Sequence, residues 1–336
     1  MSLLEVTRLA KFYPAGNRLF ARSGESIRAV DGVSFTLERG ETLGLVGESG
    51  CGKSTLGRLV LCLEEPTAGK IILAGQDITR LPDNQMRKLR RKMQIIFQDS
   101  YSSLNPRQTV GSIISEPMEN YRVASKQGIR LKVEEMLATV GLEPDIASLY
   151  PHEFSGGQRQ RINIARALAL RPEIVVCDEP VSSLDVSIQA QILNLLKELK
   201  QSLGLSYIFI SHDLAAVSYI SDRVAVMYMG KLVEVLSCRD LEKKARHPYT
   251  RALLAAVPRA EPRRRAQVAV RGEAPDPLNP PTGCRFHPRC PIAAEKCRTE
   301  EPLLSGTIHL VACHFALGED HSHGVALGGY NRSKLR

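Results

Sequence analysis

The chain has 336 residues, 43% of them apolar and 24% charged, enough apolar material to fill one large domain and a smaller one. Its formal net charge of +9 suits nucleic acid, an anionic membrane face or a nucleotide equally, so charge alone selects no partner. No apolar run approaches the roughly 18 residues that span a bilayer, and residues 1–11 lack the apolar centre of a signal peptide; the expectation is a chain made and kept in the cytoplasm, its eight cysteines thiols or metal ligands rather than disulfides.

Residues 4–9, 34–37 and 42–46 read as strands, the last two joined by a turn at Glu38-Arg39-Gly40. Tyr13 stands at the end of the first strand, before a polar loop over residues 14–26. An exposed aromatic there can stack on a purine ring; an ordinary half-buried tyrosine is the plain alternative. The third strand runs into Gly47-Glu48-Ser49-Gly50-Cys51-Gly52-Lys53-Ser54, and Thr55 continues into a helix ending near Cys62. A glycine-rich loop at a strand-to-helix junction cradles phosphate. Its N–H groups turn toward the β- and γ-phosphates, and the helix adds its positive dipole end. Lys53 is then expected to reach phosphate oxygens and Ser54 to hold Mg2+. Cys51 is a small spacer, not a nucleophile.

A turn over 65–69, a strand over 70–74, a charged helix near 87–91 and a strand over 93–97 follow, the last ending in Gln98-Asp99. The basic cluster of Arg87, Lys88, Arg90, Arg91 and Lys92 has no interleaved aromatics, so it reads as a solvated helix face and not as a nucleic-acid platform. From about 101 to 157, helical periodicity marks a helical insert. It closes on Phe154-Ser155-Gly156-Gly157-Gln158 at a helix start, a second anion-seeking site with a hydroxyl, bare N–H groups and a dipole. Residues 173–177 form an apolar strand that delivers Asp178, suited to Mg2+, and Glu179, suited to polarising an attacking water. Beyond Ser182-Ser183-Leu184-Asp185, apolar positions from Ile188 to Leu203 fit one helix face. The strand over 205–210 brings His212 to the carboxyl edge of the sheet. A lone histidine is ordinarily structural, but at that edge it is a candidate γ-phosphate contact.

These motifs, in this order over roughly residues 3–240, resemble the ATP-binding cassette (ABC) family. The resemblance implies an α/β fold: an ABC-type P-loop NTPase with a RecA-like core, an antiparallel β subdomain and a helical subdomain. By resemblance Tyr13 is the adenine-stacking aromatic, residues Gly47 to Thr55 bind the nucleotide, and Gln98 touches Mg2+ and the water. Ser155, Gly156, Gly157 and Gln158 match the family signature, Asp178 the Mg2+ carboxylate, Glu179 the general base, Asp185 the subunit-contact loop and His212 the switch histidine. Two cassettes of that family face head to tail, so each phosphate loop is completed by the other's signature. This accounts for two anion sites in one chain.

His247-Pro248-Tyr249-Thr250, Gly272-Glu273-Ala274-Pro275, Asn279-Pro280-Pro281 and the late cysteines, with the Glu48-to-Gly52 form of the loop and Ser103-Leu104-Asn105-Pro106, resemble the ATPase subunits of bacterial dipeptide and oligopeptide importers, most nearly the second of their two ATPases. That implies ATP hydrolysis coupled to peptide import at the cytoplasmic face of the inner membrane. The implied partners are a second cassette, two transmembrane permease subunits and a periplasmic or extracellular peptide-binding protein, with no nucleic acid. An exporter, a nickel importer or a non-transport cassette protein are the alternatives. The last typically has tandem cassettes, a long coiled coil or zinc modules, none of which is visible here.

Domain limits are expected at 1–257 for the cassette, 258–317 for a small irregular segment and 318–336 for a disordered tail, with Arg263-Arg264-Arg265 a solvated linker. Cys284, Cys290, Cys297 and Cys313 are separated by five, six and fifteen residues in a Pro-rich stretch that would gain order from a metal centre. Their spacing lacks the tight pairs of structural zinc and matches neither common ferredoxin pattern. Iron–sulfur ligands, zinc ligands and free thiols therefore all stay open; the importer resemblance implies a 4Fe-4S cluster of structural role. Cys62, Cys177 and Cys238 are expected as ordinary thiols in helix, strand and loop.

Overall fold

The computed structural model describes residues 2–14, 26–99, 102–257 and 275–317. Tyr101, Arg263-Arg264-Arg265, Gly272-Glu273-Ala274 and the residues from 318 onward lie outside the described residues. Strands β1 (Leu4–Pro14) and β2 (Ser26–Leu37) pair antiparallel, and β3 (Thr42–Val46) leads into helix α1 (Lys53–Val60). β4 (Ala68–Leu73) and β5 (Gln76–Asp77) join the first pair in a four-stranded antiparallel sheet of order β2-β1-β4-β5. After α2 (Asp83–Arg90) and β6 (Met93–Ile96) comes the helical insert, α3 (Val110–Asn120) and α4 (Lys126–Thr139), then α5 (Gly156–Leu168). The chain continues through β7 (Ile174–Asp178), α6 (Val186–Leu203), β8 (Ser206–Ser211), α7 (Leu214–Ile220), β9 (Arg223–Tyr228) and β10 (Lys231–Ser237). Short α8 (Leu241–Lys244), α9 (Pro248–Ala256), α10 (Glu295–Thr299) and β11 (Leu310–Val311) complete it.

The main sheet has seven strands in the order β11-β10-β9-β3-β8-β7-β6. From β9 to β6 its pairs are parallel; β10 and β11 add antiparallel at one edge. Because strand side chains alternate faces, β7 and β8 feed two cores at once. Val175, Cys177, Tyr207 and Phe209 pack with the helical insert and α6. Ile174, Val176, Ile208 and Ile210 pack with α1 and the antiparallel sheet. Parallel pairing aligns the carboxyl ends of β3, β6, β7 and β8 along one rim, where open α/β sheets place their ligands.

The first two strands run further than sequence alternation suggests, with Tyr13 paired to Ile27 and Pro14 to Ser26. Cys62 lies just past the end of α1 with φ 50°, outside the helix expected to contain it. β11 comes from the cysteine-bearing segment and pairs Val311 with Glu234, so that segment closes on the main sheet.

Candidate active site

The rim gathers the motif side chains into two small groups. Ser54 Oγ donates to Asp178 Oδ1 at 2.8 Å, joining the start of α1 to the end of β7. Burial raises the Asp178 carboxyl above its ordinary range, an effect the Ser54 hydrogen bond partly offsets. Glu179 stands next, its backbone at φ 47° and its N–H donating to Ile210 O at 2.9 Å. Gln98 Nε2 donates to Glu179 Oε2 at 3.0 Å, and His212 Nδ1 lies 3.2 Å from Oε1. Three strand ends thus bring Gln98, Glu179 and His212 together.

The phosphate loop is closed on itself. Lys53 is 4% exposed, and its ammonium donates to the carbonyl oxygens of Gly47 at 2.7 Å and Glu48 at 2.9 Å. Gly52 takes φ 106°, and a Cβ there would meet Ala29 O at 1.9 Å, so only glycine lets the loop pass β2. Beside the loop opens a cavity of about 590 Å3. Ser49 to Thr55, Gln98, Glu179 and His212 line it together with Ile27 to Ala29, Met229, Gly230, Pro277, Pro280 and Arg285.

Other expected residues lie elsewhere. Tyr13 neighbours Thr55, but its hydroxyl donates to Glu64 and Lys11 Nζ sits 5.2 Å from its ring centroid. It is not among the residues lining the cavity. Ser155 caps α5 reciprocally with Gln158: Gln158 N donates to Ser155 Oγ at 3.4 Å, and Ser155 N to Gln158 Oε1 at 3.0 Å. None of Ser155 to Gln158 lines the cavity. They pack instead on α6 and the loop before it: a Cβ on Gly157 would come 2.6 Å from Ile188 Cγ2, and one on Gly156 3.3 Å from Leu184 Cδ2. Asp185 precedes α6 at the surface, beside Val186, which is 82% exposed.

Sequence reasoning missed how the loop is held from outside. The Glu48 carboxylate accepts a two-pronged bond from Arg289, at 2.8 and 3.1 Å, and the Glu48 N–H donates to the Tyr249 hydroxyl at 2.9 Å. Arg285 donates to Met229 O and to Asp31. The only prior signal was the motif His247-Pro248-Tyr249-Thr250, whose partner in the loop no local pattern reveals.

The four late thiols share a neighbourhood. Burial, helped by the charges of neighbouring thiols, pushes the Cys290 thiol up to about 11 and that of Cys313 up to about 12; for Cys313 those neighbours are Cys284, Cys290 and Cys297. Cys284 N donates to Cys297 O at 2.8 Å. Among the described residues, however, no three His, Cys, Asp or Glu side chains are grouped so as to hold a metal ion. The expected cysteine ligand set is thus not formed as a cage.

A family model described as ABC transporter matches residues 30–182. The oligopeptide transport ATP-binding protein AppF of Bacillus subtilis is 51% identical over 319 residues, which are 93% of this chain and 97% of AppF. This chain belongs to the ABC transporter family. Within that ABC family, the dipeptide transport ATP-binding protein DppF of Haemophilus influenzae is 51% identical over 316 residues, covering 93% of this chain and 96% of DppF. A second model, described as oligopeptide/dipeptide transporter C-terminal region, matches residues 233–297, the stretch that contains Tyr249 and Arg289. Among solved structures, the dimeric ATP-binding cassette MJ0796 in a post-hydrolysis state with ADP and Pi is 30% identical with a TM-score of 0.63, covering 70% of this chain and 99% of its own. The ABC cassette fold expected from the motifs is the fold observed.

Proposed function

We propose that this chain is the ATP-hydrolysing subunit of an ABC importer for dipeptides or oligopeptides. The observation that carries the reading is the end-to-end likeness to peptide-transport ATP-binding proteins: AppF aligns with 93% of the chain, and the transporter-specific C-terminal region is matched as well as the cassette. No helix among the described residues is long and apolar enough to cross a membrane, so the membrane path belongs to partners. Those partners are two permease subunits, a second cassette and an external peptide-binding protein, with this chain on the cytoplasmic face.

In this reading Lys53 exchanges the carbonyl oxygens of Gly47 and Glu48 for phosphate oxygens, its three N–H donors finding stronger, charged acceptors. Mg2+ would neutralise charge on the phosphates, and Ser54, Asp178 and Gln98 are the residues that would hold it. Glu179 accepts the proton of the attacking water, with Gln98 and His212 fixing its two oxygens. Tyr13 stacks on the base once released from Glu64. Ser155 to Gln158 and Asp185 serve the nucleotide of the opposing cassette, in keeping with their place away from this chain's own cavity.

For the cysteine segment, within a 258–317 unit appended to the 1–257 cassette, a structural 4Fe-4S cluster on Cys284, Cys290, Cys297 and Cys313 is the reading we favour. Its support is that the four thiols share one neighbourhood: the charges of Cys284, Cys290 and Cys297 bear on Cys313, and Cys284 N donates to Cys297 O at 2.8 Å. Iron and sulfide counted on anaerobically purified protein should reach one cluster per chain, and iron well below that removes the cluster. The import reading is tested in cells lacking this gene. Uptake of a labelled dipeptide or oligopeptide should fall and return with the wild-type chain but not with Glu179→Gln; unchanged uptake across a panel of peptides overturns it.

A further inference from the structure

Glu48 is the second residue of the phosphate loop, yet it is not among the residues lining the cavity beside that loop, and its carboxylate is taken up by Arg289. Arg289 grips it with both terminal nitrogens, at 2.8 and 3.1 Å, and one of them also donates to the Tyr228 hydroxyl at 3.3 Å. The Arg289 side chain is 9% exposed and that of Glu48 30%, so the fork is sheltered on its arginine side, and its two-pronged geometry fixes the carboxylate more firmly than a single surface contact would. The Glu48 backbone is held from the same side by Tyr249. Tyr249 in turn packs 4.7 Å from Tyr228 and 5.4 Å from Phe286, ring centroid to centroid, and Tyr228 meets Phe286 edge-on. Phe286 and Arg289 come from the cysteine-bearing segment, and Arg289 directly precedes Cys290.

We propose that Arg289 is a positioning residue for nucleotide binding: its fork on Glu48 keeps the phosphate loop in its cradle shape and couples the cysteine-bearing segment to the affinity for ATP. Four groups hold Glu48: Lys53 and the Cys51 N–H through its carbonyl, Tyr249 through its N–H and Arg289 through its side chain. When Lys53 turns to phosphate, its hold is lost while the other three remain. A loop already shaped loses less freedom on binding, so the fork appears as affinity and not as rate of chemistry. Whatever orders the segment around Cys284 and Cys290 also orders Arg289, which gives that segment a hold on the nucleotide site.

This inference rests on the ATP reading above, and the test separates the two. On the full chain with its partner subunits, Arg289→Ala should raise the Kd and KM for MgATP about five- to tenfold, a usual size for coupling between sites, with little change in kcat. Glu48→Gln should reproduce the shift, and the double variant should be no worse than the more affected single one, since both remove one interaction. Amide exchange of Gly47 to Lys53 should quicken in Arg289→Ala while the rest of the cassette stays unchanged. Unaltered affinity in a folded Arg289→Ala, or effects of the two variants that multiply, overturns the inference alone. Wild-type protein that binds no MgATP overturns it together with the nucleotide reading.

Discussion

Glu179 occupies a left-handed backbone conformation at the end of a buried strand, with one carboxylate oxygen on Gln98 and the other near His212. A glutamine there keeps shape and one oxygen but cannot accept a proton. Glu179→Gln should therefore keep MgATP affinity while kcat falls about a hundredfold or more, the usual worth of a positioned base; retention of most activity would contradict the assignment. A second residue answers to pH. His247 is buried and neutral, its Nδ1 accepting from Tyr249 N at 3.1 Å, and burial lowers its pKa from 6.5 to about 3. With the folded pKa depressed, the unfolded chain binds the extra proton. The stability this group contributes is therefore complete above 6.5 and is lost as pH falls toward 3. Between pH 6 and 5, where carboxylates contribute least, denaturant unfolding should show Asn in place of His247 losing less stability than wild type, the gap approaching about 1.4 kcal/mol per pH unit. Equal losses would place the acid sensitivity elsewhere. The places of Lys53, Ser54 and Ser155 at helix starts were legible because each is written within eight residues of local sequence. The pairing of Glu48 with Arg289 was not, because the two lie 241 residues apart and meet only in the fold.

At the scale of elements, β3, α6 and β7 were readable from uninterrupted apolar runs or helical spacing bounded by motifs. β9 and β10 were not singled out, since strands buried on both faces carry no alternation, and α9 matters for where it points Tyr249 more than for its own pattern. The start of α5 was read as an anion site, but its glycines also answer to packing that sequence does not disclose. A methyl group on Gly157 would stand 2.6 Å from Ile188 Cγ2, so α5 can lie against α6 only without a side chain there. Gly157→Ala should lower stability by about 1–3 kcal/mol through overpacking, and adding Ile188→Ala should return part of that loss. Thermal and urea unfolding of the two variants measure it. If the single variant is as stable as wild type, the close approach of these helices is not a constraint in solution.

For the whole molecule, the two helix starts read as anion sites are not brought to one cavity: Ser49 to Thr55 line it and Ser155 to Gln158 do not. In the function proposed above such a chain is half of a machine: its own loop takes nucleotide, the second set of donors comes from another cassette, and permease subunits supply the membrane path. The purified chain should therefore bind MgATP yet hydrolyse it slowly, with activity per chain rising with concentration or on addition of a sister cassette. Gentle detergent extraction of native membranes should bring it out with two integral membrane proteins and a second, similar ATPase. Full activity from a chain that stays monomeric would remove the composite site, because the signature would then have no nucleotide to serve. Recovery with ribosomes or DNA in place of membrane proteins would remove the transport role, yet leave Lys53, Ser54, Asp178 and Glu179 in their chemical positions, since those follow from the rim of the sheet and not from the company the chain keeps.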